Sequence, residues 1–65
     1  MISGSFIRTR RVLAQLSQEE VAERLGCKPA WVSAIERGAG RPSPEMLEKL
    51  GAVLGFDTAE SVLRE

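Results

Sequence analysis

The residues of this chain that could do chemistry are arginine, lysine and glutamine side chains rather than the groups that make an enzyme. Its 65 residues contain no histidine and a single cysteine, Cys27. No nucleophile stands beside a base, and no cluster has the spacing of metal ligands. We therefore predict no catalytic residue, no metal and no cofactor, and we expect Cys27 to be an inert buried thiol.

The charges are distributed unevenly along the chain, although they cancel overall. Through Arg41 there are seven basic and four acidic residues, whereas from Pro42 onward two basic residues accompany five acidic ones. This asymmetry suits a molecule that turns one face toward phosphates and the other away from them. The alternative is that small helical domains often have polarised charge without such a role.

Length and composition limit the architecture. A chain of 65 residues is near the lower limit for folding without disulfides or metals, so we expect one domain over residues 1–65. No apolar run is long enough to span a membrane, and no secretory segment follows Met1. We expect a cytoplasmic protein with no membrane partner.

The elements that must position the polar side chains are clearest over residues 16–38. Ser17 and Glu20 have the spacing of a capping box at a helix start, and Gly26 can end that helix in the left-handed conformation. A second helix is expected from Pro29, a favoured first-turn residue, to Arg37. Two short helices joined by a tight turn predict a helix-turn-helix over about residues 17–37.

Three further helices fit the remaining sequence. The first covers about residues 5–14, with an apolar face of Phe6, Ile7, Leu13 and Ala14. Ser43 caps another that ends at Gly55, and a short last one is expected over about residues 57–64. No alternating β-branched run predicts a strand, so the expected fold class is all-α.

Residues 6–63 resemble the Cro/C1-type helix-turn-helix family, also called the XRE family. The resemblance rests on the order and spacing of the segments LSQEEVA (16–22), LG (25–26), VS (32–33), IERG (35–38) and PS (42–43). It implies a compact five-helix bundle of the lambda-repressor-like type. It also implies sequence-specific binding to double-stranded DNA as a repressor-like transcriptional regulator, with the recognition helix, about residues 29–37, in the major groove.

The resemblance assigns roles to individual residues. It implies phosphate contacts, for which the candidates are Gln18, Arg11, Arg37 and Arg41. It also implies a structural ion pair between Arg11 and Glu36. The alternative at Gln18 and Arg41 is a solvated side chain without a partner.

The face of the second motif helix that should meet the groove is unusually apolar. The candidates for base or groove contact are Lys28, Pro29, Ala30, Ser33 and Ala34. Three of these cannot hydrogen-bond a base edge and could contact only thymine methyl groups. Polar readout would then fall to Lys28, Ser33 and Arg37. A cation at the N-cap position of Lys28 opposes the helix dipole, which indicates either function or neutral drift.

Two hypotheses about partners follow. The first is a homodimer on palindromic DNA, with Val62 and Leu63 as candidate dimer contacts. The second is a protein-interaction module, such as the antitoxin of a toxin–antitoxin pair, whose DNA binding serves autoregulation; its partner would be a toxin or a larger regulator. On a helical projection, Trp31, Val32 and Ile35 share one apolar arc of the second motif helix. Trp31 lies on the border of that arc, where it could serve as a core residue, a groove-wall contact or a partner anchor.

Overall fold

A computed structural model describes residues 3–57, and this part of the chain is all-α. It contains four helices and no strand: α1 (Gly4–Leu13), α2 (Gln18–Leu25), α3 (Pro29–Glu36) and α4 (Pro44–Leu54). The predicted fifth helix, beyond its first residue Asp57, and the candidate dimer contacts Val62 and Leu63 lie outside the described residues. None of the helices in the described range is long and apolar enough to cross a bilayer.

The start of α2 has the capping box predicted for it. The backbone N–H of Glu20 donates to Ser17 Oγ at 3.0 Å, and the Ser17 N–H donates to Glu20 Oε1 at 2.9 Å. The bond from the Ser17 N–H, followed by the bond with its hydroxyl, lowers the pKa of the Glu20 carboxyl. These two hydrogen bonds satisfy N–H donors that the helix would otherwise leave free, and they determine where α2 begins.

All four helices contribute to one hydrophobic core. Its members are apolar side chains that are less than a tenth exposed: Ile7, Val21, Ala22, Leu25, Val32, Ile35, Leu50 and Leu54. Val21, Ala22 and Leu25 form the buried stripe of α2, and Val32 and Ile35 point inward from α3. This core packs α2 against α3, with α1 and α4 supporting the pair.

The apolar face predicted for the first helix is wrong in its second half. Leu13 is 68% exposed and Ala14 is exposed, although Ile7 is buried. Six residues of helix carry the chain about 120° away from the starting face, so Leu13 cannot share the face of Ile7. Arg10 and Arg11, three and four positions after Ile7, occupy that face instead and are half-buried.

Arg10 ties α1 to the end of α4. Its Nη2 donates to the carbonyl oxygens of Leu54 at 3.2 Å and Gly55 at 2.8 Å. These carbonyls lie at the negative end of the α4 dipole, where a guanidinium is favourable. Beside this contact the rings of Phe6 and Phe56 pack edge to face with centroids 5.1 Å apart.

The other end of α1 abuts the end of α3. A Cβ atom added to Gly4 would collide with the carbonyl oxygens of Ile35 and Glu36, lying 2.6 Å from the latter. Only a residue without a side chain allows this approach. The first turn of α1 therefore sets the position of the last turn of α3.

Candidate functional site

The exposed surface of α3 lies at its start and just beyond its end. Lys28, Pro29 and Ala30 at its start are exposed, and Arg37 just after its end is exposed as well. An eight-residue helix is about 12 Å long, so the two cations stand at opposite ends of that surface. Ser33 and Ala34, predicted to face outward, are half-buried.

Lys28 is the N-cap residue of α3, as predicted, and its side chain makes no capping hydrogen bond. Its backbone is extended, and Pro29 follows as the first helical residue. Because the side chain is exposed and is not used for capping, the cation can extend toward a ligand at this end of α3.

The side chains of Arg11, Gln18 and Glu36 meet between three helices. Arg11 Nε donates to Glu36 Oε2 at 2.6 Å and its Nη2 donates to Oε1 at 3.2 Å. Gln18 Nε2 donates to the same Oε1 at 3.1 Å. The structure thus contains the ion pair expected between α1 and α3, and it adds the start of α2 to that pair.

This cluster is largely shielded from water. The side chains of Arg11 and Glu36 are 15% and 4% exposed. Burial alone would raise the pKa of the Glu36 carboxyl, but the hydrogen bonds from Arg11 and Gln18 outweigh it, so the pKa is lowered. A buried carboxylate held by charge-assisted bonds acts mainly to maintain the geometry between helices.

The cluster limits what Arg11 and Gln18 can offer to a ligand. Arg11 uses a third N–H to bind the carbonyl of Leu16 at 2.9 Å, so most of its guanidinium serves the protein itself. Glu36 occupies one of the two N–H donors of the Gln18 amide. That bond orients the half-buried amide at the N-terminus of α2.

The segment after α3 contains the two remaining candidates for phosphate contact, Arg37 and Arg41. Arg37 Nε approaches Ser33 Oγ at 3.4 Å, a long and exposed contact. The backbone N–H groups of Ala39 and Gly40 both bond to the carbonyl of Ala34, at 2.9 and 3.3 Å. Arg41 follows and is exposed.

Sequence patterns assigned no role to two residues that join the helices, Arg10 and Gly4. Arg10 had a signal, because it stands where the apolar stripe of Ile7 should continue, three residues later. Gly4 had none, since a glycine near a chain end is commonplace. Cys27, expected to be buried, is half-buried and is a free thiol.

The site offers cations, amides and apolar surface rather than a metal centre. In the part of the chain that is described, no three His, Cys, Asp or Glu side chains lie close enough together to hold a metal ion. What the arrangement can do is present a rigid helix, flanked by exposed cations, to a large anionic surface.

Comparisons with known proteins agree with this geometry. Residues 4–62 match the sequence model of a family described as helix-turn-helix domain. An uncharacterised HTH-type transcriptional regulator of Mycobacterium tuberculosis is 39% identical over 51 residues, which cover 78% of this chain and 36% of that protein. The chain thus spans about a third of the length of that relative.

Two further similarities cover a larger share of the other protein. An uncharacterised HTH-type transcriptional regulator of Sinorhizobium fredii is 36% identical over 62 residues, covering 95% of this chain and 79% of that protein. The crystal structure of the clp gene regulator ClgR from C. glutamicum superimposes with a TM-score of 0.83 at 28% identity. That match covers 92% of this chain and 77% of the other.

Proposed function

The chain belongs to the family of helix-turn-helix domains, and on that premise we propose that it binds double-stranded DNA as a transcriptional regulator. Residues 1–65 act as one DNA-binding domain, with α3 in the major groove. The relatives named as transcriptional regulators support this proposal.

One observation carries the proposal most strongly. The end of α3 stands beside the start of α2, and the bonds of Arg11 and Gln18 to Glu36 hold α1, α2 and α3 in one geometry. A recognition helix needs such support, because an error of about 1 Å in its placement weakens every base contact at once. The cluster therefore provides preorganisation, while the exposed side chains provide contacts.

Phosphate contacts in this proposal come from side chains around that surface. Gln18 presents the rest of its amide from the N-terminus of α2, where backbone N–H groups also favour an anion. Arg37 and Arg41 add exposed cations beyond the end of α3. Arg11 contributes only through its small exposed fraction.

Base contacts come from α3 and its N-cap. Lys28 supplies the polar contact at the start, and Ser33 supplies a second one further along. Pro29, Ala30 and Ala34 give an apolar surface suited to thymine methyl groups. Because apolar contacts replace hydrogen bonds at three positions, we expect modest discrimination among sequences, with a preference for thymine-containing sites.

We also propose that the protein acts as a homodimer in the cytoplasm. Two-fold symmetry would place the two α3 helices about 34 Å apart on a palindromic site. A single short domain with few polar base contacts gains affinity and specificity from a second half-site.

Selection of binding sites from random duplex DNA tests the function and yields a probe. Anisotropy of a labelled selected duplex then gives the dissociation constant, Kd, at several salt concentrations. We expect Kd to rise with salt, and charge reversal at Arg37 or Arg41 to weaken binding to all sequences alike. Lys49→Glu is the matched control, since Lys49 is an exposed cation on α4. No enrichment of any duplex at low salt would refute the proposal.

The exposed apolar residues Pro29 and Ala30 favour a second candidate, a protein-interaction module such as an antitoxin. In that case DNA binding would be secondary and would serve autoregulation. The same selection experiment discriminates, because such a module is expected to bind the selected duplex only weakly without the partner toxin.

A further inference from the structure

The only tryptophan of the chain lies directly over a glycine of the loop that leads to Arg41. A Cβ added to Gly40 would lie 2.7 Å from Trp31 Cζ3 and 3.2 Å from Cη2. The six-membered ring of the indole therefore covers the Cα of Gly40. Trp31 is half-buried and also packs against the hydrophobic core, so its ring cannot readily move aside.

The same loop is bonded to α3 through its backbone. The N–H groups of Ala39 and Gly40 share the carbonyl of Ala34. Pro42 restricts the residue before it to extended conformations. Arg41 is that residue: it follows a segment attached to α3, its own backbone is restricted by Pro42, and its side chain is exposed.

We propose that the contact between Trp31 and Gly40 positions Arg41 for a DNA phosphate. Trp31 is then a positioning residue that acts through the loop and need not touch DNA itself. The inference rests on the proposed function and specifies how one of its phosphate contacts is preorganised. An arginine on a loop that is ordered before binding loses less conformational entropy on binding than one on a free loop.

Replacement of Gly40 by alanine separates this role from general backbone effects. The backbone of Gly40 is not in the left-handed region, so alanine introduces no strain of its own. The added methyl group must displace either the ring or the loop, and the ring is held by the core. We therefore expect the loop and Arg41 to shift while the helices stay in place.

The measurement is the salt dependence of Kd for the selected duplex. Each phosphate contact contributes about 0.9 to the slope of log K against log salt, which is a factor of about 3.5 between roughly 50 and 200 mM. We expect Gly40→Ala to lower the slope by about 0.9, as Arg41→Ala does, and the double variant to lower it no further. A loss of stability alone would change the affinity but not the slope.

Two further variants complete the test. Ala39→Ser, at the exposed neighbouring position, is the control and should keep the wild-type slope. Trp31→Phe removes the ring atoms that cover Gly40 and should itself lower the slope, after which Gly40→Ala has no further effect. If Gly40→Ala melts below the assay temperature, Trp31→Phe is used as the test variant in its place.

The outcomes separate the inference from the function on which it rests. Salt-dependent binding by the wild type with an unchanged slope in Gly40→Ala overturns the inference and leaves the function standing. A Gly40→Ala effect that adds to that of Arg41→Ala also overturns it. Absence of binding by the wild type overturns both.

Discussion

Substitution of Gly4 by alanine should destabilise the protein, although alanine is ordinarily the better helix residue. Within helices alanine is preferred over glycine by up to about 1 kcal/mol. Here the new methyl group would collide with the carbonyl oxygens of Ile35 and Glu36, at 2.6 Å from the latter. The sign of the effect therefore distinguishes the tertiary contact from local propensity.

The size of the effect follows from the two ways in which the collision can be relieved. If α1 moves away from α3, the packing of Ile7 is disturbed, and strain of this kind typically costs about 1–3 kcal/mol. If the first turn of α1 unwinds instead, the cap that Ser3 Oγ accepts from the Phe6 N–H at 3.1 Å is lost. A lost N-cap costs about 1 kcal/mol, so we expect a net destabilisation of roughly 1–3 kcal/mol.

Thermal unfolding followed by far-UV circular dichroism measures this prediction. For a domain of this size, about 2 kcal/mol corresponds to a fall in Tm of roughly 8–16 °C. Ser5→Ala, one residue further along the same helix and exposed, is the matched control and should shift the free energy of unfolding by at most about 0.5 kcal/mol. An unchanged or raised Tm for Gly4→Ala would refute the reasoning, because it would show that α1 and α3 do not approach as closely as described.

Three other substitutions test the supporting contacts. Gln15 has a φ of 60° at the end of α1, so Gln15→Gly should raise the free energy of unfolding by up to about 1 kcal/mol in urea titrations; a loss would contradict it. Arg10→Met should lower the free energy of unfolding by about 1–2 kcal/mol, because the carbonyls of Leu54 and Gly55 lose their donor. Arg8→Met, at an exposed position, is the control. Glu36 has a lowered pKa, so its contribution is present above the ordinary carboxyl pKa and is lost as pH falls through the lowered value. Between about pH 6 and pH 3, the free energy of unfolding should therefore fall less for Glu36→Gln than for the wild type. Equal falls would contradict the stabilising role of the ionised Glu36 carboxylate.

Local signals in the sequence were sufficient to predict the described helices and the buried face of α2. Ser17 and Glu20 bond to each other's backbone three residues apart, so neighbouring residues alone decide where α2 begins. The buried stripe of α2 also follows directly from helical periodicity. The helix-turn-helix and the family could both be predicted, because their signature consists of such short-range features.

The candidate site was predictable as a set of residues but not as an arrangement. Lys28, Ala30, Arg37 and Arg41 are exposed, as expected for the outward face of α3 and its loop. Ser33 and Ala34, expected on the same face, are half-buried. The engagement of Gln18 with Glu36 could not be derived, since it joins residues 18 positions apart. Likewise, spacing along the chain contains no information that Trp31 covers Gly40.

The sequence by itself determined the four described helices, the turn between α2 and α3, and the exposure of the start of α3. Only the tertiary structure decided that α1 packs through Gly4 rather than Leu13, that Arg10 reaches the end of α4, and which groups Arg11 retains for a ligand. The physical reason is how far apart along the chain the interacting residues lie. Capping and periodicity depend on atoms three or four residues apart, whereas these contacts depend on how helices cross, which the whole core sets at once.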